Sequence, residues 1–300
     1  MIWGSIRNRI QSNFWDIGFI EKDLLEVLSS DRLEVHWLRH SYKDRWFADP
    51  YILEVTSSEI VLLVEELCYK TSKGRIAKLV VDRNNYTLKD MKVLLDLNTH
   101  LSFPMIFNKE GKVYILPENS QSGTWNIYQY IEADDRLEKI KKVSNLPLTD
   151  ATLFRAPDGT NYVLSTKMPN PNEGDLYVFK FDKERLEIND EPVQVIPFEK
   201  NNARNAGDVF MANGKLYRPA QDCDGSYGKG IYIQELSYNS KSLFSFRDVI
   251  YFTSDYERLD MGYHTFNAKD GVIVIDGHGH RFKKLFRLYI KLGSYKNKIR

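Results

Sequence analysis

Asp49 stands in the stretch FADPYIL, between residues of core type and directly before a proline. A carboxylate heading into an apolar interior normally has a partner or a chemical task. Pro50 fits the start of a strand, where its missing N–H need not join the ladder. Other polar residues open later apolar runs: Ser102 before FPMIF, Asp150 before ATLF, Asn205 (beside Arg204) before AGDVF, and His264 before TF. A second polar set closes the runs that follow: Glu65 and Glu66, Glu118, Thr166 and Lys167, Gln221 and Asp222, and Asp276. Gathered at one place, these groups would suit a polyhydroxylated ligand. Acids and amides would accept from its hydroxyls, while arginine and aromatic faces would supply donors and stacking. Two convergent carboxylates are also the minimum equipment for chemistry at a glycosidic bond. The same set would equally serve as hydrogen-bonded plugs of a solvated channel mouth.

The chain must supply elements that bring such distant positions together, and an internal repeat does so. The stretches ADPYILEVTSSEIVLLVEE, SFPMIFNKEGKVYILPE, TDATLFRAPDGTNYVLSTK, NAGDVFMANGKLYRPAQ and GYHTFNAKDGVIVIDG share one plan of small or polar opening, apolar strand, turn and second apolar strand. Lys109-Glu110-Gly111, Asp158-Gly159, Asn213-Gly214 and Asp270-Gly271 mark hairpin turns, and Asn-Gly or Asp-Gly between apolar runs is a strong hairpin signal. The last apolar residues of the first strands, Leu53, Phe107, Phe154, Phe210 and Phe266, are 54, 47, 56 and 56 positions apart. That period fits a four-stranded β-propeller blade. The expected fold is all-β: a five-bladed propeller of antiparallel blades starting near 49, 102, 150, 205 and 263. An N-terminal strand closes the ring, with Arg32–His40 (RLEVHWLRH) as its expected source, since closure removes exposed sheet edges. Residues 1–31 then form an extension, 32–290 the propeller and 291–300 a basic tail. First strands line the central channel of a propeller, so their polar openings converge.

Composition excludes several classes. With 42% apolar and 28% charged residues the chain reads as soluble and globular, and a net charge of +1 argues against nucleic-acid binding. The 13% aromatic share favours β-structure. Cys68 and Cys223 make no disulfide framework and read as free thiols of a reducing compartment. Neither a signal-peptide core nor a spanning run stands out, so the expected location is cytoplasmic.

The motifs FADP, DATLF…DG and a His opening the fifth repeat resemble the five-bladed propellers of glycoside hydrolase families 43 and 32. That resemblance implies a general base at Asp49, a residue tuning the acid's pKa at Asp150, and at His264 a histidine holding water or a divalent metal ion in the channel. More of the chain, through FADP, LSFPMIF…GKVYILPEN, DATLF, GKLYRPAQDC…YG and GYHTFN, resembles the N-terminal propeller domain of glucosamine inositolphosphorylceramide transferases. One departure matters. Family 43 carries its general-acid Glu at the opening of blade four, where this chain reads NARNAGDVF. Glu118 or Glu66 would have to substitute. Without a proton donor, hydrolysis of an ordinary glycoside is compromised. Transfer from an activated sugar, whose phosphate leaves unprotonated, needs only a base and cationic or amide stabilisers, and Asp49 with Arg204, Arg218 and Lys167 fits that.

The expectation is therefore a carbohydrate-active propeller of surface-polysaccharide or glycolipid assembly, transferring a sugar from a nucleotide sugar to a lipid-linked acceptor. The catalytic set is Asp49, Asp150 and Glu118. The substrate-binding set is Glu66, Ser102, Lys167, Arg204, Asn205, Arg218, Gln221, Asp222 and His264. A family 43 or 32 type hydrolase and a non-catalytic glycan-binding module are the alternatives. His264, Asp276 and His278 are weak metal candidates, the last two within DGHGH, which reads more simply as a polar loop. DCDGSYG (Asp222–Gly228) lacks the later ligands of a calcium loop and reads as a turn. The acid-free, basic and apolar stretch His280–Arg300 is suited to peripheral contact with an anionic membrane surface, or to a final strand with a solvated tail.

Overall fold

The computed structural model describes residues 13–282 and is an all-β propeller of five antiparallel sheets. Blade one is β3 (Arg45–Val55), β4 (Glu59–Cys68), β5 (Lys73–Asp82) and β6 (Leu88–Leu95). Blade two is β7 (Ser102–Lys109), β8 (Lys112–Glu118), β9 (Trp125–Ile131) and β10 (Arg136–Ser144). Blade three has β11 (Leu148–Arg155), β12 (Asn161–Lys167) and β13 (Leu176–Asp182), and shares its outer edge between β14 (Glu187–Ile188) and β15 (Gln194–Ile196). Blade four is β16 (Phe210–Ala212), β17 (Lys215–Asp222), β18 (Gly230–Asn239) and β19 (Leu243–Phe252).

Blade five joins the two ends of the described chain. Its inner strands are β20 (Gly262–Lys269) and β21 (Val272–His280); β1 (Asn13–Ile20) and β2 (His36–Trp37) complete it outward. An N-terminal strand does close the ring, but it is Asn13–Ile20 rather than Arg32–His40. β1 pairs with β21 along its whole length, with Ile17 opposite Asp276 and Phe19 opposite Val274. Of the expected strand His36 and Trp37 pair with this blade, opposite Phe19 and Gly18, and Arg39 makes a lone bridge to Thr87. The physical reason is burial. A third strand of a blade is covered on both faces, and Trp15–Ile20 is buried throughout, whereas charged residues recur through Arg32–His40. The propeller therefore begins well before residue 32. The basic tail 291–300 and most of the stretch assigned to membrane contact lie outside the described residues.

Three of the turns have both central residues at positive φ: Glu110-Gly111, Asn213-Gly214 and Asp270-Gly271. That is the two-residue hairpin geometry whose twist matches the strands it joins. The apolar faces of neighbouring blades meet in four clusters around the ring, for example Phe47, Leu62 and Val64 of blade one with Ile17 and Val274 of blade five.

What positions the site is a defect repeated in the inner strands. The register slips in four of the five where they near the channel end: between Ala48 and Tyr51, Ser102 and Met105, Thr149 and Thr152, and Tyr263 and Phe266. A bulge of this kind removes a residue from the ladder and re-aims its side chain. Asp49, Phe103 and Asp150 occupy the bulges with φ of 51°, 42° and 46°. In blade four the inner strand proper starts only at Phe210, and Asn205 is held by a lone bridge to Ala220.

Candidate active site

A bulged residue has a backbone N–H with no ladder partner, and burial makes such a donor costly to leave unmet. Here carboxylates from the preceding blade meet it. Asp49 N–H donates to Asp276 Oδ2 (2.8 Å), Phe103 N–H donates to Asp49 Oδ2 (2.9 Å), and Asp150 N–H donates to Glu118 Oε2 (3.0 Å). The ring continues through Asn205, whose Nδ2 donates to the Asp150 carbonyl at 2.7 Å and to that of Leu164 at 2.8 Å. The acids that could do chemistry are thus also the stitches between blades.

Two clusters result. In the first, His264 Nδ1 lies 3.1 Å from Asp276 Oδ2 and 3.3 Å from Asp49 Oδ1. Thr265 N–H donates to Asp276 Oδ1 (2.8 Å), and the Tyr227 hydroxyl is hydrogen-bonded to His264 Nε2. All three titratable groups are buried. Burial alone would lower the His264 pKa, but the carboxylates of Asp276 and Asp49 outweigh it and push it up to about 9. Asp276 faces the same contest: burial raises it, yet the imidazolium wins and holds it below the carboxylate range. Asp49 is the surplus acid. Burial and the charges of Glu65, Asp276 and Asp150 hold its pKa well above the ordinary value, with His264 opposing.

Asp49, His264 and Asp276 present ligand atoms all within 4.8 Å of one another. Apart from the 3.3 Å ion-pair approach of His264 Nδ1, Asp49 Oδ1 is buried without a hydrogen bond among the described residues, so the donor set fits a divalent cation once the imidazole gives up its proton.

The second cluster centres on Asp150. Its Oδ2 accepts from Arg204 Nε (2.6 Å) and Gln221 Nε2 (2.8 Å). Arg204 also donates to Asn172 Oδ1 (2.8 Å), lies under the Tyr227 ring and approaches Glu118 Oε2 at 3.9 Å. Glu118 accepts from Ser120 Oγ (2.9 Å) as well as from the Asp150 amide. Burial and the neighbouring Asp150 charge push the Glu118 carboxyl up to about 7, against the pull of Arg204. It is a proton donor or acceptor poised near neutrality.

The structure brings Asp49, Asp150, Glu118, Arg204, Asn205, Gln221, His264 and Asp276 together, and it places the remaining expected residues elsewhere. In blade two the position equivalent to Asp49 and Asp150 is Phe103, one beyond Ser102, which pairs with Glu118 across the sheet. Glu66 is clamped between Arg45 (2.9 Å) and Arg75 (2.7 Å), on the strand face opposite Glu65. Arg218 lies inside blade four, donating to Asn205 Oδ1, Gln234 Oε1 and the Ala203 carbonyl between the rings of Phe198 and Phe246. Burial lowers its pKa to about 9. Asp222 accepts from the Tyr251 hydroxyl, and Lys167 sits over the Tyr177 ring at the end of β12. His278 stacks on Trp15 (4.1 Å between centroids) with Nε2 against the Gly228 carbonyl, apart from the Asp49 group.

Two contributors escape the sequence. Trp15, in what read as an extension, lies 4.8 Å from the His264 ring. Tyr227, in what read as a plain turn, bridges His264 and Arg204. Only the repeat of a polar pattern across blades carries a signal, and neither residue belongs to it.

Comparison with known proteins supplies the context. Residues 36–268 match the family described as glucosamine inositolphosphorylceramide transferase 1, N-terminal. The chain is 28% identical over 209 residues to glucosamine inositolphosphorylceramide transferase 1 of Arabidopsis thaliana, covering 65% of this chain and 26% of that protein. It is 25% identical over 210 residues to the protein of that name from Oryza sativa subsp. indica, covering 67% and 27%. The chain thus spans about a quarter of the length of these relatives. Among solved structures, a β-xylosidase superposes with a TM-score of 0.52 at 12% identity, covering 77% of this chain and 91% of that one. An exo-β-1,3-galactanase from Phanerochaete chrysosporium, solved with β-1,3-galactotriose, gives 0.50 at 13% identity over 67% and 49%. At such identities these likenesses show the shared propeller fold.

Proposed function

The chain belongs to the glucosamine inositolphosphorylceramide transferase N-terminal family, and from that premise we propose that it acts on carbohydrate at the channel end holding Asp49 and Glu118, transferring a sugar in glycolipid or surface-polysaccharide assembly. The observation that carries the reading is the pair of buried acids, Asp49 and Glu118, both held above the ordinary carboxylate range, with Arg204 3.9 Å from Glu118. Two such groups at one channel end are equipment for moving protons rather than for structure alone.

In transfer, Asp49 takes the proton of the acceptor hydroxyl as its oxygen bonds to the anomeric carbon. The bond from that carbon to the donor phosphate breaks, and the phosphate leaves with the electron pair, stabilised by Arg204. Glu65, Gln221 and the Tyr227 edge offer partners to sugar hydroxyls. His264 and Asp276 orient Asp49 through its amide and Oδ1. A divalent cation bound there would add positive charge beside the developing negative charge.

Glycoside hydrolysis is the second reading, favoured by Glu118. The proton donor expected at blade four is replaced by Asn205, which is fully committed to Asp150, Leu164 and Arg218. Glu118 reaches the Asp150 cluster from blade two instead, with a pKa near 7. There it could protonate a leaving oxygen while Asp49 activates water. Placement in the cytoplasm, at a membrane face, belongs to the same proposal; no helix among the described residues is long and apolar enough to cross a membrane.

The deciding experiment offers the protein a panel of nucleotide sugars with inositol-phospholipid and lipid-linked acceptors, and aryl glycosides in parallel. Product from the first set that disappears in Asp49→Asn supports transfer. Release of sugar from the glycosides supports hydrolysis. Glycan binding without turnover in either set would defeat both and leave a binding module.

A further inference from the structure

A cavity lies outside the carboxylate clusters, at the seam where blade five meets blade one. It has a volume of about 460 Å³, and no acidic residue lines it. Small-molecule sites run from roughly 300 to 1,000 Å³. Its walls carry Lys43, Arg45, Arg258 and Arg281.

The arginines are braced by aromatic rings. Arg281 lies 3.7 Å over Tyr69, Arg258 4.9 Å over Phe14 and Arg45 4.8 Å over Tyr42. Stacking holds a planar guanidinium in place while leaving its edge of N–H donors for a ligand. Charge compensation is uneven. Arg45 is paired with Asp44 and Glu66, and Arg258 lies 3.7 Å from Asp16 at the base of the seam. Lys43 and Arg281 are in no ion pair among the described residues. Arg281 donates one N–H to the Lys43 carbonyl (3.0 Å), which ties the two cations together.

A further polar group points to a ligand. The His40 side chain, 10% exposed, lines the cavity, and its Nδ1 has no hydrogen-bond partner among the described residues. Burial lowers its pKa to about 4, so the ring is neutral, and its Nε2 lies 3.8 Å from Asp16 Oδ1. A cavity with excess positive charge and rigid donor forks calls for an anion with several oxygens. Carboxylates are met by a single fork; phosphates accept from several directions at once.

We propose that this seam cavity binds the phosphate or diphosphate group of an organic ligand, the chemistry shared by a nucleoside diphosphate and an anionic lipid headgroup. Trp15 forms a wall of the cavity, and its ring also packs on His264, so a bound phosphate sits one indole away from the Asp49 cluster. The proposal concerns binding alone and stands or falls separately from the transfer reading.

Calorimetry on the full chain with pyrophosphate and with UDP tests it, alongside co-sedimentation with vesicles of phosphatidylcholine alone or with added phosphatidylinositol phosphate. Losing a hydrogen bond to a charged partner corresponds to about tenfold or more in affinity. The Arg281→Ala and Lys43→Ala variants should each weaken binding by at least that much, and added salt should weaken it further. Arg281→Lys, which keeps charge and packing length but loses the fork, should fall between and covers the case in which the alanine variant fails to fold. Loss of UDP or pyrophosphate binding identifies a soluble ligand; loss confined to the phosphoinositide vesicles identifies a lipid headgroup; both uphold the site. Absence of binding to every probe, or binding undiminished in folded Arg281→Ala and Lys43→Ala protein, overturns it.

Discussion

Replacing Asp276 by asparagine tests the electrostatic account of the channel most directly. Asp276 is fully buried and serves three partners: the amides of Asp49 and Thr265, each at 2.8 Å, and His264 Nδ1 at 3.1 Å. Asparagine keeps the shape but loses the charge and one acceptor. His264 is held at about 9 instead of 6.5 chiefly because Asp276 overcomes the cost of burial. A displacement of that size is worth about 3 kcal/mol, at roughly 1.4 kcal/mol per pH unit. The sign follows from linkage. A raised folded pKa on a histidine contributes stability that is complete below pH 6.5 and is lost as the pH climbs through about 9. Asp16, Glu118 and Asp208, each pushed up to about 7 by burial, also lose stability with rising pH, but their window ends near 7. The range from pH 7 to 8.5 therefore belongs largely to the coupled group of His264, Asp276 and Asp49, whose raised Asp49 also loses stability as the pH rises. Denaturant unfolding across that range should show wild-type stability falling by about 2 kcal/mol more than that of Asp276→Asn. At pH 6 the variant should be less stable by about 3 kcal/mol, the scale for one half of a buried pair. Nitrogen-detected NMR of the His264 ring should find its titration moved below 6.5. If the ring still titrates near 9 in the variant, or the two stability curves stay parallel, the assignment of an imidazolium held by Asp276 is wrong.

The other expectations follow the same contacts. Asp49→Asn keeps an oxygen for the Phe103 amide, so it should fold while any detected turnover falls by about 10²–10⁴, the usual contribution of a general base. Glu118→Gln should remove the limb of a pH–rate profile near 7; a limb that persists would locate that proton elsewhere. Asn205→Ala strands the Asp150 carbonyl and Arg218 Nε, and should lower stability by about 2–3 kcal/mol, read from chemical denaturation. Phe19→Ala should cost about 3–5 kcal/mol and disrupt ring closure, because that buried ring belongs to the strand completing blade five.

The repeat was legible because hairpins are local. Asn213-Gly214 and Asp270-Gly271 announce tight turns from two residues, and the alternation around them declares strands. Five such units at one spacing leave few architectures other than a ring. Closure was read with the wrong strand because it is a non-local pairing. Asn13–Ile20 meets Val272–His280 only after the whole chain has turned, and Asp16 within it masks a strand covered on both faces.

The residue types of the site were also visible. Asp49, Asp150 and His264 share a place in the repeat, so their convergence follows from the period alone. Which neighbours count did not follow. Glu65 and Glu66 are adjacent and chemically alike, yet period-two alternation turns Glu65 toward His100 at 3.1 Å and locks Glu66 between two arginines. Ser102 and Phe103 exchange roles through a single bulge. Glu118 acquires its pKa near 7 only because the ring sets it against Asp150. Sequence by itself determined the five blades and the acids carried at their openings, since turn chemistry and periodicity act over a few residues. Tertiary structure alone decided which acids meet, which are neutralised and which are held near neutrality. Those properties depend on burial and on charges brought within 4 Å of one another from separate blades.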